Sequence, residues 1–157
     1  MNLRHIVVAT DESDAGRQAV RTGLELAGHA AARLIVVRVV SVQALPVLAE
    51  GMGDIRSVDP DGGAGALERL QRWLHAGVIP AGDTTPVELG ITFGVPGIEI
   101  CRFAERRDAD LLVLGRKQRS QMARLLLGDT ADAVVRRSRI PCLFVPPGDR
   151  PLRQALV

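Results

Sequence analysis

Five short apolar runs, separated by stretches of helical apolar spacing, leave this chain few folds to choose from. Four of the runs are residues 6–9 (IVVA), 34–40 (LIVVRVV), 111–114 (LLVL) and 142–145 (CLFV). A weaker, alternating one passes through Val87, Leu89 and Ile91. Runs this short, rich in β-branched side chains and bounded by turn residues, read as strands covered on both faces. Between them, Ala15, Ala19, Gly23, Leu26 and Ala27 form an apolar stripe that predicts a helix over 14–30. Leu67, Leu70 and Leu74 form a second stripe, with Trp73 beside it, Gly77 as its stop and Pro80 just beyond. Gly97, Ile100, Cys101 and Ala104 form a third, opened by Pro96 where a missing N–H costs nothing. The fourth follows Gly128 through Ala131, Val134 and Val135.

The order β-α-β-α-β-α-β-α-β predicts an α/β protein: a parallel sheet with right-handed crossovers and helices on both faces. In such sheets ligands bind beyond the carboxyl ends of the strands, where the strand order reverses. Three segments are thereby nominated. They are Thr10, Asp11, Glu12 and Ser13 after the first strand, Val39 and Val40 at the end of the second, and residues 115–119 after the fourth. Residues 41–65 break the pattern with Gly51, Gly53, Pro60, Gly62, Gly63 and Gly65. They predict a long exposed loop, with room for one helical turn at 44–50. The tail over 148–157 is expected to fray, which leaves residues 1–147 as a single domain.

A length of 157 residues suits one core. The net charge of +2, from 20 basic and 18 acidic residues, describes no polybasic surface. With three Phe, one Trp and no Tyr, stacking platforms for nucleic acid are scarce. Only Arg136, Arg137 and Arg139 point that way, so a nucleic-acid partner is not expected. No apolar run approaches the roughly 20 residues of a membrane span. The strand pattern begins almost at the first residue, so a cytoplasmic protein without signal peptide is expected. Cys101 and Cys142 lie inside apolar patterns and read as small buried hydrophobes; His5, His29 and His75 are scattered, and no metal site is expected.

Gly63-Ala64-Gly65-Ala66-Leu67 begins like a dinucleotide fingerprint, but Glu68 stands where the third glycine belongs and no strand precedes it, so it reads as loop. Neither a P-loop nor a G-x-S-x-G elbow is present. After the first strand, Asp11 and Ser13 have two readings of equal weight. They cap the next helix, or Asp11 presents its carboxylate to a ribose, an adenine or a metal. Glu12 and Asp14 read as first-turn acids that complement the helix dipole.

Residues 111–130, LLVLGRKQRSQMARLLLGDT, carry the sharpest signal. A buried strand ends at Gly115, a basic loop follows with Arg116, Lys117 and Arg119, and a helix begins after Gly128, Asp129 and Thr130. Backbone N–H groups and the positive end of a helix dipole, brought together in this way, hold a phosphate in many α/β proteins.

The spacing of this segment resembles the universal stress protein family. Nucleotide-binding members carry G-x2-G-x9-G-[ST] after the fourth strand, and the frame falls here on Gly115, Gln118, Gly128 and Asp129. The opening HIVVATDES, Gly94-Val95-Pro96-Gly97 and the continuation LLLGDTADAVVRRSRIPCLFVP are also similar to the family, so the resemblance spans almost the whole chain. It implies a Rossmann-like, HUP-type fold with strand order 3-2-1-4-5. It also implies a homodimer, often paired through the fifth strand, here 140–146. ATP or another adenine nucleotide would be held by Ala9, Asp11, Val39, Gly115, Arg116, Gln118, Gly128, Asp129 and Thr130, with Mg2+ only as its companion. Thr10, Lys117 and Arg119 lie in the same two segments.

Two positions depart from the family pattern. Gln118 stands where a glycine allows close backbone approach, and Asp129 stands where a hydroxyl would meet a phosphate. Thr130 could supply the hydroxyl, and the three basic residues oppose the added negative charge. The leading expectation is a small, non-catalytic regulatory protein, with at most slow, incidental ATP hydrolysis. The alternative is a dimeric interaction module of the same fold that acts on a protein partner without nucleotide. An adenylating enzyme ranks below both, because Thr10-Asp11-Glu12-Ser13-Asp14 lacks the glycine pair that cradles pyrophosphate. On this reading Gly115→Val removes nucleotide affinity and leaves the protein folded.

Overall fold

A computed structural model describes residues 2–41, 63–116 and 129–148. Five parallel strands form one sheet in the order β3-β2-β1-β4-β5, as the resemblance implied. The strands are β1 (His5–Thr10), β2 (Arg33–Ser41), β3 (Val87–Gly94), β4 (Leu111–Gly115) and β5 (Cys142–Val145). The helices are α1 (Asp14–Ala30), α2 (Ala64–Trp73), α3 (Pro96–Arg106) and α4 (Asp129–Arg137).

Side-chain alternation splits the core into two layers. Ile6, Val8, Leu34, Val36, Leu111 and Val113 pack with Ala19, Val20 and Leu24 of α1 and Leu70 of α2. Val7, Ala9, Ile35, Val37, Leu112 and Leu114 pack with Ile100, Phe103 and Ala104 of α3 and Val134 of α4. Covered on both faces, the inner strands must be apolar throughout, which is why their sequences are continuous runs. The strand β3 lies at the sheet edge and is only partly buried, hence its weaker alternation.

Local signals fix the helix ends. Pro96 opens α3, and Gly77 adopts φ +93° in the wide turn Leu74–Val78 that follows α2. Arg21 of α1 donates from Nη2 to the Gly77 carbonyl at 3.0 Å, which satisfies an orphan acceptor at that helix end. One expectation is corrected here: Ala64 and Gly65 are helical, not loop, because α2 begins directly after Gly63 (φ +95°) and buries Ala66 in its first turn. The predicted loop is also shorter at its other end, since Ser41 still belongs to β2. The rest of that segment, with the helical turn at 44–50, lies outside the described residues, as does the tail from 149 onward.

Both cysteines are free: Cys101 is buried, and burial pushes its thiol pKa up, while Cys142 is half-buried. Among the described residues no helix is long and apolar enough to cross a membrane.

At the amino-terminal end of the sheet, Asp110 ties β1 to the entry of β4. Its Oδ2 accepts from the backbone N–H of Arg4 at 2.7 Å and of His5 at 2.9 Å. Those two donors hold its pKa below the ordinary carboxylate value. A depressed pKa means that the contribution to stability is complete above the unfolded value and is lost as pH falls through the native one. Asp110→Ala is therefore expected to lower the melting temperature at neutral pH. The gap to wild type should close as the pH drops below 3.8, the ordinary value for the group. Thermal melts of both proteins across that range test this; a gap independent of pH would assign the loss to something other than the carboxylate.

Candidate functional site at the strand carboxyl ends

The strand order reverses between β1 and β4, and in sheets of this kind that reversal, here beyond Thr10 and Gly115, is where a ligand crevice is expected. Backbone elements approach closely there. A Cβ added at Gly115 would lie 2.1 Å from the carbonyl oxygen of Ala15, in the first turn of α1. Gly97 plays the corresponding part on the other face, where a Cβ would lie 2.4 Å from that of Ala133 in α4. Gly115 thus lets the first turn of α1 rest on the end of β4, and Gly97 lets α4 pack closely on α3.

The turn between β1 and α1 is tightly specified. Thr10 is buried, and its Oγ1 accepts from the Glu12 N–H at 3.0 Å. Ser13 caps α1 by accepting from the Gly16 N–H at 3.3 Å. Asp11 is exposed at the strand end; its Oδ1 accepts from the Ser13 N–H at 3.2 Å and from the Ser13 hydroxyl. Capping thus belongs to Ser13, and Asp11, exposed at the strand end, steadies the cap.

Glu12 differs from expectation. It is not a first-turn acid of α1 but precedes the helix at φ +62°, where a side chain costs about 1 kcal/mol. Its carboxylate reaches across to Arg38 of β2 at 2.6 Å. The sequence signal for this was an arginine inside the apolar run 34–40, one residue before Val39.

The remaining site residues divide as follows. Ala9 is buried in the layer with α3 and α4, and Val39 is half-buried against it. Arg116 is exposed, and its backbone N–H donates to the Val145 carbonyl at 2.8 Å, so that group serves the sheet. Asp129 and Thr130 begin α4, and Asp132 joins Asp129 as a second acid in its first turn, paired with Arg136 at 2.9 Å. Lys117, Gln118, Arg119 and Gly128 lie outside the described residues.

An open sheet of order 3-2-1-4-5 with this crevice defines an α/β protein of the Rossmann-like, HUP type. The model of the Universal stress protein family matches residues 2–146, and the chain belongs to that family. It is similar to Universal stress protein MJ0531 of Methanocaldococcus jannaschii, at 29% identity over 144 residues, covering 90% of this chain and 81% of that protein. Among solved structures, a universal stress protein in complex with cAMP is 26% identical with a TM-score of 0.63, over 94% of this chain and 100% of the other. The universal stress protein UspA from Lactobacillus plantarum is 24% identical with a TM-score of 0.70, over 92% of this chain and 99% of the other.

The packing of Gly115 changes what its substitution reports. The contact is with backbone, which a rotamer change cannot relieve, so Gly115→Ala is expected to destabilise the fold by at least about 1–3 kcal/mol. Gly115→Val should cost more and is not a clean probe of ligand binding. Chemical denaturation of the alanine variant tests this; unchanged stability would show that α1 yields easily at Ala15.

Proposed function

We propose that this protein is a non-catalytic regulatory module that takes an adenine nucleotide in the crevice between β1 and β4. The reading is supported by three features at the strand carboxyl ends: exposed Asp11 after β1, half-buried Val39 near the end of β2, and the start of α4, the helix that follows β4. Such a site offers a carboxylate to a ribose or base, an apolar wall to an adenine and a helix dipole to a phosphate. The relative solved with cAMP supports an adenine nucleotide as the ligand class.

The residues fit the nucleoside end better than the phosphate end. Asp129 and Asp132 already place two carboxylates in the first turn of α4. Charges of that sign satisfy the dipole that a phosphate would otherwise use, so phosphate binding needs Arg116, Thr130 and a divalent cation in support. In the β1–α1 turn, the Thr10 and Ser13 hydroxyls are engaged in turn and cap hydrogen bonds, which argues for binding over turnover.

Calorimetric titration with ATP, with and without magnesium, tests the reading. Asp129→Ser is expected to tighten magnesium-free binding by about two- to five-fold, the effect of one charge at a helix end, with a smaller gain when magnesium is present. Equal affinities for variant and wild type would show that the carboxylate does not oppose the phosphates. The acidic first turn also favours a second reading, the same fold acting on a protein partner without nucleotide. A folded protein that ignores millimolar ATP would favour that reading.

The same reading includes a second copy of the chain at β5. Pro141 accepts from the Leu112 N–H at 2.9 Å and Val145 from the Arg116 N–H at 2.8 Å. Alternation along the strand therefore turns the N–H groups of Cys142 and Phe144 toward the open edge. Phe144→Pro removes one such donor and keeps the pairing with β4. It should convert a dimer to a monomer in analytical ultracentrifugation, whereas Phe144→Ala, which loses only the ring, should not. Dimers of both variants would place the interface elsewhere.

A further inference from the structure

Resting on the site proposed above, we infer that Arg38 is a positioning residue: its ion pair with Glu12 pins the β1–α1 turn, and so holds Asp11 at the crevice. Along β2, Val36 packs with α1 and α2, while Val37 and Val39 pack with α3 and α4. Alternation puts Arg38 on the α1 side, behind the turn, in register with Thr10 of β1. From there it reaches Glu12 at 2.6 Å, with side-chain exposures of only 26% and 21%. Little solvent screens a pair so covered.

Nothing in the turn's backbone requires a glutamate. Its φ of +62° favours glycine or asparagine, neither of which reaches Arg38. The retained side chain makes sense as the tether between β2 and the turn. The adjoining contacts run in series: Glu12 N–H to Thr10, then Ser13 N–H to Asp11, then Gly16 N–H to Ser13. Gly16 leaves room for the arrangement, since a Cβ there would lie 2.3 Å from Thr10 Oγ1. Freeing Glu12 loosens the residue on which Asp11 depends.

The test exploits charge. Arg38→Met removes a cation and Glu12→Asn an anion, while asparagine keeps the left-handed backbone. If the pair acts only through its field, the first variant weakens ATP binding and the second strengthens it. If the pair positions the turn, both weaken binding of ATP and of uncharged adenosine alike, by about five- to ten-fold. Nitrogen-15 relaxation of the free protein should then show greater motion at Asp11, Glu12 and Ser13 in both variants, with Arg38→Lys restoring order. Opposite shifts in ATP affinity, or an unchanged turn in both variants, would overturn the inference. Should wild type bind neither ligand, the nucleotide reading fails by itself, and the relaxation data alone decide whether Arg38 pins the turn.

Discussion

The contact between Gly115 and the Ala15 backbone is the constraint on which the crevice depends. A helix following β1 could stand off the sheet by the width of a side chain, and the end of β4 would then face a gap. With no Cβ at Gly115, the first turn of α1 rests directly on that strand end. The core below transmits this placement, because Val8, Val113 and the α1 residues Ala19 and Val20 are fully buried in one layer. The corresponding approach of Gly97 to Ala133 seats α4 against α3.

Charged side chains stand at the starts of both α1 and α4. On the β1–α1 side Glu12 pairs with Arg38. On the α4 side Asp132 pairs with Arg136. A ligand with an uncharged base and an anionic end would meet complementary chemistry at the base end. On the proposed reading, helix dipole and carboxylates act in opposite directions on an anion at the other end.

Much of the architecture was legible in the sequence, for a physical reason. Strands covered on both faces, such as 34–40 and 111–114, cannot be written in anything but apolar residues, and Pro96 and Gly77 announce a helix start and a helix end. The start of α2 was not legible, because Gly63-Ala64-Gly65 carries no apolar stripe until Ala66 and Leu70 are reached. Gly115 was recognised as important but for another reason. A glycine that admits a phosphate and one that admits a neighbouring helix look the same in sequence. Glu12 was misplaced because dipole arguments see only its charge and its distance from a helix. The positive φ that takes it out of the helix, and the reach to Arg38, are properties of three dimensions.

The two halves of the crevice need not respond to a ligand in the same way. At the nucleoside end, Asp11 is held by a chain of short-range hydrogen bonds, so its geometry is set before any ligand arrives and little ordering remains to be supplied on binding. On the proposed reading, the start of α4, already bearing carboxylates, takes further negative charge only with cations beside it. On the proposed reading, affinity for the nucleoside is thus a fixed property of the fold, while discrimination among phosphorylation states follows the local cation supply.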